Sequence, residues 1–325
     1  MPSSAPFSHI AVLGAGAWGT ALALAAHAAG RKTTLWVRED DVLAALRDGR
    51  ENRFLPGVTL PRDLIVTGDL AEATAADALL LVVPAQVLHG FVDSLSLAPG
   101  KPLVICAKGI EKGTGKLVTE VLAQAAPDAA PAILSGPSFA RDVARGLPTA
   151  VTIAAKGELA MQLQTALGSA TFRPYASDDL TGVALGGAAK NVYAIACGVV
   201  EGMGLGENAR AALLARSFAE LSRLGEALGA KPETLMGLSG LGDLVLTATS
   251  KSSRNFSYGA AIGAGIAPDG KLAEGVDTAP ALVARAKAVG VEMPIAEAMA
   301  DLLSGTLPIG EAMMRLMSRP LKAEA

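Results

Sequence analysis

Two hydrophobic patterns divide the chain. In the first half, short apolar or β-branched runs recur between polar, glycine-bearing stretches, at residues 9–13, 33–37, 64–67, 79–83, 103–107, 133–134 and 151–154. Runs of this length, such as LLLVV and LVICA, are apolar throughout rather than alternating, and read as parallel strands buried on both faces. Helical segments fall between them, the clearest being the alanine-rich stretch 20–29, which stops at Gly30. Strand and helix in alternation predict a doubly wound parallel sheet, with ligands at the carboxyl ends of its strands. From Leu180 onward the strand signals fade and helical periodicity takes over, at 185–200, 208–228, 279–288 and 294–303. No internal repeat, low-complexity tract or heptad seam is visible. The expected break is at Asp178-Asp179, giving domains of 1–179 and 180–325.

The first strand–turn–helix carries Gly14-x-Gly16-x-x-Gly19. In that setting Gly14 permits the tight turn, Gly16 lets a pyrophosphate approach the backbone, and Gly19 lets the helix pack closely, with free N–H groups facing the phosphates. The first domain is therefore read as a Rossmann-type dinucleotide-binding unit; the competing reading is a glycine-rich turn with no ligand. An acidic residue about 20 positions further on would bind the ribose of NAD. Here Arg38 precedes Glu39. The arginine suits the 2′-phosphate of NADP and the glutamate a free 2′-hydroxyl, so NADP or NAD is expected; a solvated strand end is the alternative for Arg38.

The second half poses a question of its own. The stretch GGAAKNVYAIACG, residues 186–198, contains a single charge, Lys190. Gly186, Gly187, Tyr193, Ala194 and Cys197 share its helical face. None is a carboxylate, and most are small enough to leave room for a ligand. Burial there would lower the lysine pKa toward neutrality, as proton transfer requires; the alternative is a lysine snorkelling to water. Asp243 follows a glycine-rich turn and is read as the cap of the helix DLVLTAT, as the partner of a catalytic lysine or as an acceptor for substrate hydroxyls. Ser252-Ser253-Arg254-Asn255 gathers the groups that hold a phosphate, or is only a polar connection. Lys108 leaves a buried strand into a lysine- and glycine-rich loop, where a functional role competes with simple solvation. Ser138 is read as the cap of the helix FARDVARG, and a capping serine beside a cofactor can also serve the site.

Composition narrows the partners. The 325 residues are 51% hydrophobic with a net charge of −3, which gives no sign of a nucleic-acid or membrane-surface partner. The two cysteines lack paired spacing and predict a reduced, cytoplasmic protein. The three histidines are scattered, and no metal-ligand motif occurs. The apolar run from Ile10 looks like a leader or membrane span, but no Lys or Arg precedes it and glycines interrupt it at the motif spacing.

The motifs resemble those of the bacterial NAD(P)-dependent glycerol-3-phosphate dehydrogenase family over nearly the whole chain. They are GAGAWGTALA from Gly14, LWVRED from Leu35, FLPG from Phe54, VVPAQ from Val82, AKGIE from Ala107, SGPSFA from Ser135, GLPTA from Gly146, GGAAKNVYAI from Gly186, GLGDLVLT from Gly240, SRN from Ser253 and AEGVDT from Ala273. The resemblance implies reversible reduction of dihydroxyacetone phosphate to sn-glycerol 3-phosphate, supplying the glycerol backbone for phospholipid synthesis. It implies Lys190 as the proton-transfer group, with Asp243 orienting it and Lys108 adding positive field. Substrate contacts would be Lys108, Gly136, Ser138, Lys190, Asp243, Ser253, Arg254 and Asn255. Cofactor contacts would be Ala17, Trp18, Arg38, Lys108, Ala140, Arg254, Leu272 and Glu274, beside the motif glycines. A soluble homodimer is expected from the apolar helices of the second half. Two rivals are a different hydroxyacid dehydrogenase of the same two-domain plan and a nicotinamide-sensing regulator without chemistry.

Overall fold

The structure is a computed structural model that describes residues 7–270 and 272–317. Residues 1–6 and 318–325, the outer ends of the two expected domains, lie outside the described residues, as does residue 271. Over the described residues, eight strands form one sheet: β1 His9–Leu13, β2 Lys32–Trp36, β3 Ile65–Thr67, β4 Ala78–Leu81, β5 Pro102–Ile105, β6 Ala130–Ser135, β7 Thr149–Ala155 and β8 Phe172–Ser177. Their order is β3-β2-β1-β4-β5-β6-β7-β8. Every pairing is parallel except β6 with β7, which is antiparallel.

Strand alternation sorts the sheet into two cores. Leu80, Val12 and Val104 face the helix Ala17–Ala28 and its neighbours. Leu79, Leu81, Leu13 and Ile105 face the opposite way and join the helical half. That second core runs without a break into Val183, Ala188, Val192 and Tyr193 of the helix Leu180–Gly202. This helix is long and apolar enough to cross a membrane, but its apolar stretch is wholly buried, which marks it as the core helix of a folded protein. It is seven residues longer than the pattern predicts: the Asp179 side chain accepts from the Gly182 N–H at 2.8 Å and so starts the helix at Leu180.

Other elements depart from expectation for local reasons. The first helix begins at Ala17, inside the glycine motif, not at Thr20. β8 was not foreseen as a strand. It holds Pro174 and exposes Arg173 and Tyr175, a composition tolerated only at a sheet edge. Ser138 does not cap a helix: the helix Ala140–Ala144 starts after Phe139, and the Ser138 hydroxyl donates to the Gly136 carbonyl at 3.0 Å. Helix Glu274–Ala288 starts five residues earlier than its apolar pattern, carrying Pro280 within it. The glycine-rich stretch Leu238–Gly242 forms a single π turn that leads into the helix Asp243–Thr249. Such turns cluster at functional sites.

Candidate active site

The glycine motif sits where the strand order reverses. β1 lies between β2 and β4, so the chain winds outward in both directions from this point and leaves a crevice at the strand ends. Gly14 has φ of 118°, and a Cβ there would lie 2.5 Å from the Val82 carbonyl oxygen that follows β4. Only glycine fits. Gly16 then serves as N-cap of the first helix with no side chain closing it, and a Cβ at Gly16 would meet nothing within 4 Å. The first-turn N–H groups of this helix therefore face open space without intrahelical partners, a cradle that fits the pyrophosphate of a dinucleotide. Asn52 pins the turn from behind, its amide donating to the Ala15 carbonyl at 2.7 Å and the Thr20 hydroxyl at 2.8 Å. Sequence reading missed Asn52, although it lies just before the FLPG motif.

Of the other expected cofactor contacts, Ala17 and Trp18 form the first turn of that helix, and Ala140 opens the short helix that packs against it. Arg38 and Glu39 leave β2 paired with each other at 2.9 Å, the arginine exposed. Glu274 and Leu272 line one wall of a crevice whose other wall is Pro84, Ala85, Gln86, Lys108 and Gly109, the exits of β4 and β5.

Deeper in, two lysines share one carboxylate. Lys190 is only 8% exposed, so it does not snorkel. Its Nζ donates to the Thr247 hydroxyl at 2.8 Å and lies 3.2 Å from Asp243 Oδ1. Lys108 Nζ lies 2.5 Å from Asp243 Oδ2 and also donates to the Gly136 carbonyl at 3.2 Å. Asp243 does not cap its own helix; it occupies the first helical position after Gly242 and turns its carboxylate to both ammonium groups. Thr247, one turn on, adds its hydroxyl to Asp243 Oδ1 at 3.1 Å. The i, i+4 spacing of Asp243 and Thr247 within DLVLTAT was the legible signal for this second residue.

Burial dominates the electrostatics. It pushes the Lys190 pKa down to about 8, against the opposing pull of Asp243 and with further lowering from Lys108. Asp243 is held below the ordinary carboxylate range: its own burial works the other way and is outweighed by the two lysines. With both lysines protonated, the triad carries a net positive charge, which suits an anion and an oxygen gaining negative charge. An ammonium with a pKa near 8 can give a proton and its neutral amine can take one back.

The Ser253–Asn255 trio is more differentiated than its composition suggested. Ser253 caps the helix Arg254–Gly263 by accepting from the Phe256 N–H. Asn255 is buried; its amide donates to Asn191 Oδ1 and its carbonyl accepts the Gly275 N–H, both at 2.9 Å. Asn191, next to Lys190, in turn donates to Glu274 at 3.3 Å. The asparagines thus clasp three helices together, while Arg254 at the helix start remains exposed.

This geometry has close counterparts. The family profile for the N-terminus of NAD-dependent glycerol-3-phosphate dehydrogenase matches residues 9–161, and that for its C-terminus matches residues 179–314. A glycerol-3-phosphate dehydrogenase (NAD(P)+) of Bradyrhizobium sp. (strain ORS 278) is 61% identical, over 98% of each chain. One of Parvibaculum lavamentivorans is 55% identical, also over 98% of each chain. The crystal structure of glycerol-3-phosphate dehydrogenase from Coxiella burnetii superposes with a TM-score of 0.91 at 37% identity, covering 96% of this chain and 99% of that one. A glycine turn at the switch point, a buried lysine paired with Asp243 and matches to both halves of one family agree: the chain belongs to the NAD-dependent glycerol-3-phosphate dehydrogenases.

Proposed function

We propose that this chain catalyses the reversible NAD(P)H-dependent reduction of dihydroxyacetone phosphate to sn-glycerol 3-phosphate, with Lys190 as the proton-transfer group. The observation that carries the reading is Lys190 buried between Thr247 and Asp243, with its pKa brought to about 8. When bound, the dinucleotide supplies hydride to the ketone carbon or takes it from the alcohol. The first-turn N–H groups from Ala17 to Gly19 hold its pyrophosphate, Arg38 its adenosine end, and Ala140, Leu272 and Glu274 line its path. Lys190 gives its proton to the carbonyl oxygen as negative charge develops there, and takes it back in the reverse direction. Asp243 keeps that ammonium in register, and Lys108 adds positive field beside Gly136 and Ser138. Arg254, the exposed cation of its trio, meets the substrate phosphate; Ser253 and Asn255 fix the start of its helix.

The phosphate is what separates this reading from another hydroxyacid dehydrogenase. Dihydroxyacetone phosphate should support oxidation of NADH or NADPH, whereas unphosphorylated dihydroxyacetone should support almost none; equal rates on the two would reject the phosphate site. Residues 1–179 act as the dinucleotide domain and 180–325 as the substrate domain. The product would feed acylation of a glycerol phosphate backbone in the cytoplasm. A homodimer fits the apolar side chains left exposed on the helical half, among them Met236 and Val245; sedimentation of the purified protein at monomer mass would exclude it.

A further inference from the structure

The chain leaves β5 at Lys108 and forms a flap that closes on itself. Ile110 and Leu117 are bridged, and the Glu111 N–H donates to the Lys116 carbonyl at 2.9 Å. One side of the flap is held by Gln86, which donates to the Ile110 carbonyl and accepts the Lys112 N–H, both at 2.9 Å. The other side is held by the helix Glu274–Ala288. Lys112 pairs with Asp277 at 2.6 Å. Arg285, three turns beyond Glu274, donates to the Gly115 carbonyl at 3.0 Å and makes a two-pronged contact with Glu120 at 2.7 and 2.8 Å. Glu120 also accepts the Leu117 N–H at 2.7 Å, which ties the fork to the foot of the flap.

Arg285 is not a casual surface pair. Its side chain is only 17% exposed, and its Nε is buried without a hydrogen-bond partner among the described residues. Withdrawing a guanidinium from water in this way is costly unless its geometry is put to use, and the bidentate fork is the most direction-specific contact an arginine makes with a carboxylate. The far end of the same helix carries Glu274, Asp277 and Thr278, which face Lys108 and Gly109 across the crevice. Pro280 interrupts the hydrogen bonding of this helix between its two ends, but Asp277 on one side of the proline and Arg285 on the other are both tied to the flap, so the two contacts together set the tilt of the Glu274 end.

We propose that Arg285 is a positioning residue for the reaction: through Glu120 and the Gly115 carbonyl it locks the 108–117 flap to the Glu274 helix, and so sets the spacing of Lys108 and Glu274 across the crevice. This rests on the reading of that crevice as the place where cofactor and substrate meet. Arg285→Met keeps the bulk and removes the fork. Misplacement of reacting groups by about 1 Å can cost on the order of 100-fold; the variant is expected to lose roughly 10-fold or more in kcat and to show a raised KM for the dinucleotide, with titratable cofactor sites per chain unchanged. Exchanging the charges in Glu120→Arg/Arg285→Glu should recover part of the lost kcat. Folded Arg285→Met with wild-type kcat and KM overturns the proposal, as does a loss that only tracks fewer titratable sites. If Arg285→Met does not fold, Arg285→Lys, which keeps the charge but not the fork, is judged by the same two criteria. Lys108→Ala separates the premises: if it loses turnover while the Arg285 variants do not, the brace alone is wrong; if it keeps turnover, the crevice reading is wrong.

Discussion

The chemistry at Lys190 is a balance among burial, one carboxylate and a second lysine. Desolvation is the largest influence and brings its pKa to about 8, where Asp243 raises it and Lys108 lowers it. In the role proposed for Lys190, reduction needs the ammonium and oxidation the free amine. The rate of dihydroxyacetone phosphate reduction should therefore be full below pH 8 and fall as pH rises through that value, while glycerol 3-phosphate oxidation should rise across the same window. Asp243→Asn removes the influence that raises the pKa, so both limbs should move to lower pH; limbs that stay in place would show that Asp243 does not tune the lysine. Lys190→Ala should retain dinucleotide binding, read by fluorescence titration, and lose about 10²- to 10⁴-fold in turnover, the range for a positioned acid–base group. Undiminished turnover would remove Lys190 from the mechanism.

At the level of elements, the site depends on how closely two helices can cross. A Cβ at Gly198 or Gly202 of the lysine helix would lie 2.1 Å from the carbonyl oxygen of Phe256 or Ala260, on the helix Arg254–Gly263. Reciprocally, a Cβ at Gly259 or Gly263 would lie 2.0 Å from the Ile195 oxygen or 2.3 Å from that of Val199. Glycines four apart on both helices thus bring backbone against backbone. This contact sets where Arg254 stands relative to Lys190, and the Asn191–Asn255 hydrogen bond closes it near the site. Gly198→Ala must force the helices apart. It should cost about 1–3 kcal/mol, the usual range for overpacking, in denaturant unfolding, and raise the KM for the phosphorylated substrate more than that for the dinucleotide. A variant with unchanged stability and KM would mean the crossing has slack.

For the whole molecule, the two halves are less separable than their patterns imply. One face of the sheet is covered jointly: Leu13, Leu79, Leu81 and Ile105 share a core with Leu88, Val121 and Leu122 of the first half and with the lysine helix, so removing the helical half uncovers part of that face. The same core reaches Leu221, Leu282 and Ile295 from the later helices. Expressed alone, residues 1–179 should expose that face, bind a hydrophobic dye and melt without cooperativity, and co-expression with 180–325 should restore a single sharp transition. A fragment 1–179 that melts cooperatively by itself would show that the dinucleotide half is an independent folding unit.

Much of this was legible in the residues themselves. Wholly apolar runs such as 79–83 and 103–107 can satisfy their surfaces only inside a covered sheet, and the glycine spacing from Gly14 to Gly19 specifies a turn that a phosphate can approach. Both are local properties, carried by a few neighbouring positions, and so were the family motifs that marked Lys190, Asp243 and Lys108. What lay beyond reach was whatever pairs positions distant along the chain. The resemblance paired Asp243 with Lys190, 53 residues away, but nothing local announces that the same carboxylate will also meet Lys108, or that Asn255 will spend its amide on Asn191 rather than stand free. Ser138 and Asp243 each looked like a helix cap by residue type, yet the side chain turned to another partner once the fold brought one closer. β8 was missed because Pro174 and its polar neighbours are acceptable only at an edge, and edge position is a property of the sheet. Local pattern sets the elements and the chemical inventory; the free energy of burying charged groups decides which of them are paired, and that is settled only when the helical half closes over the sheet.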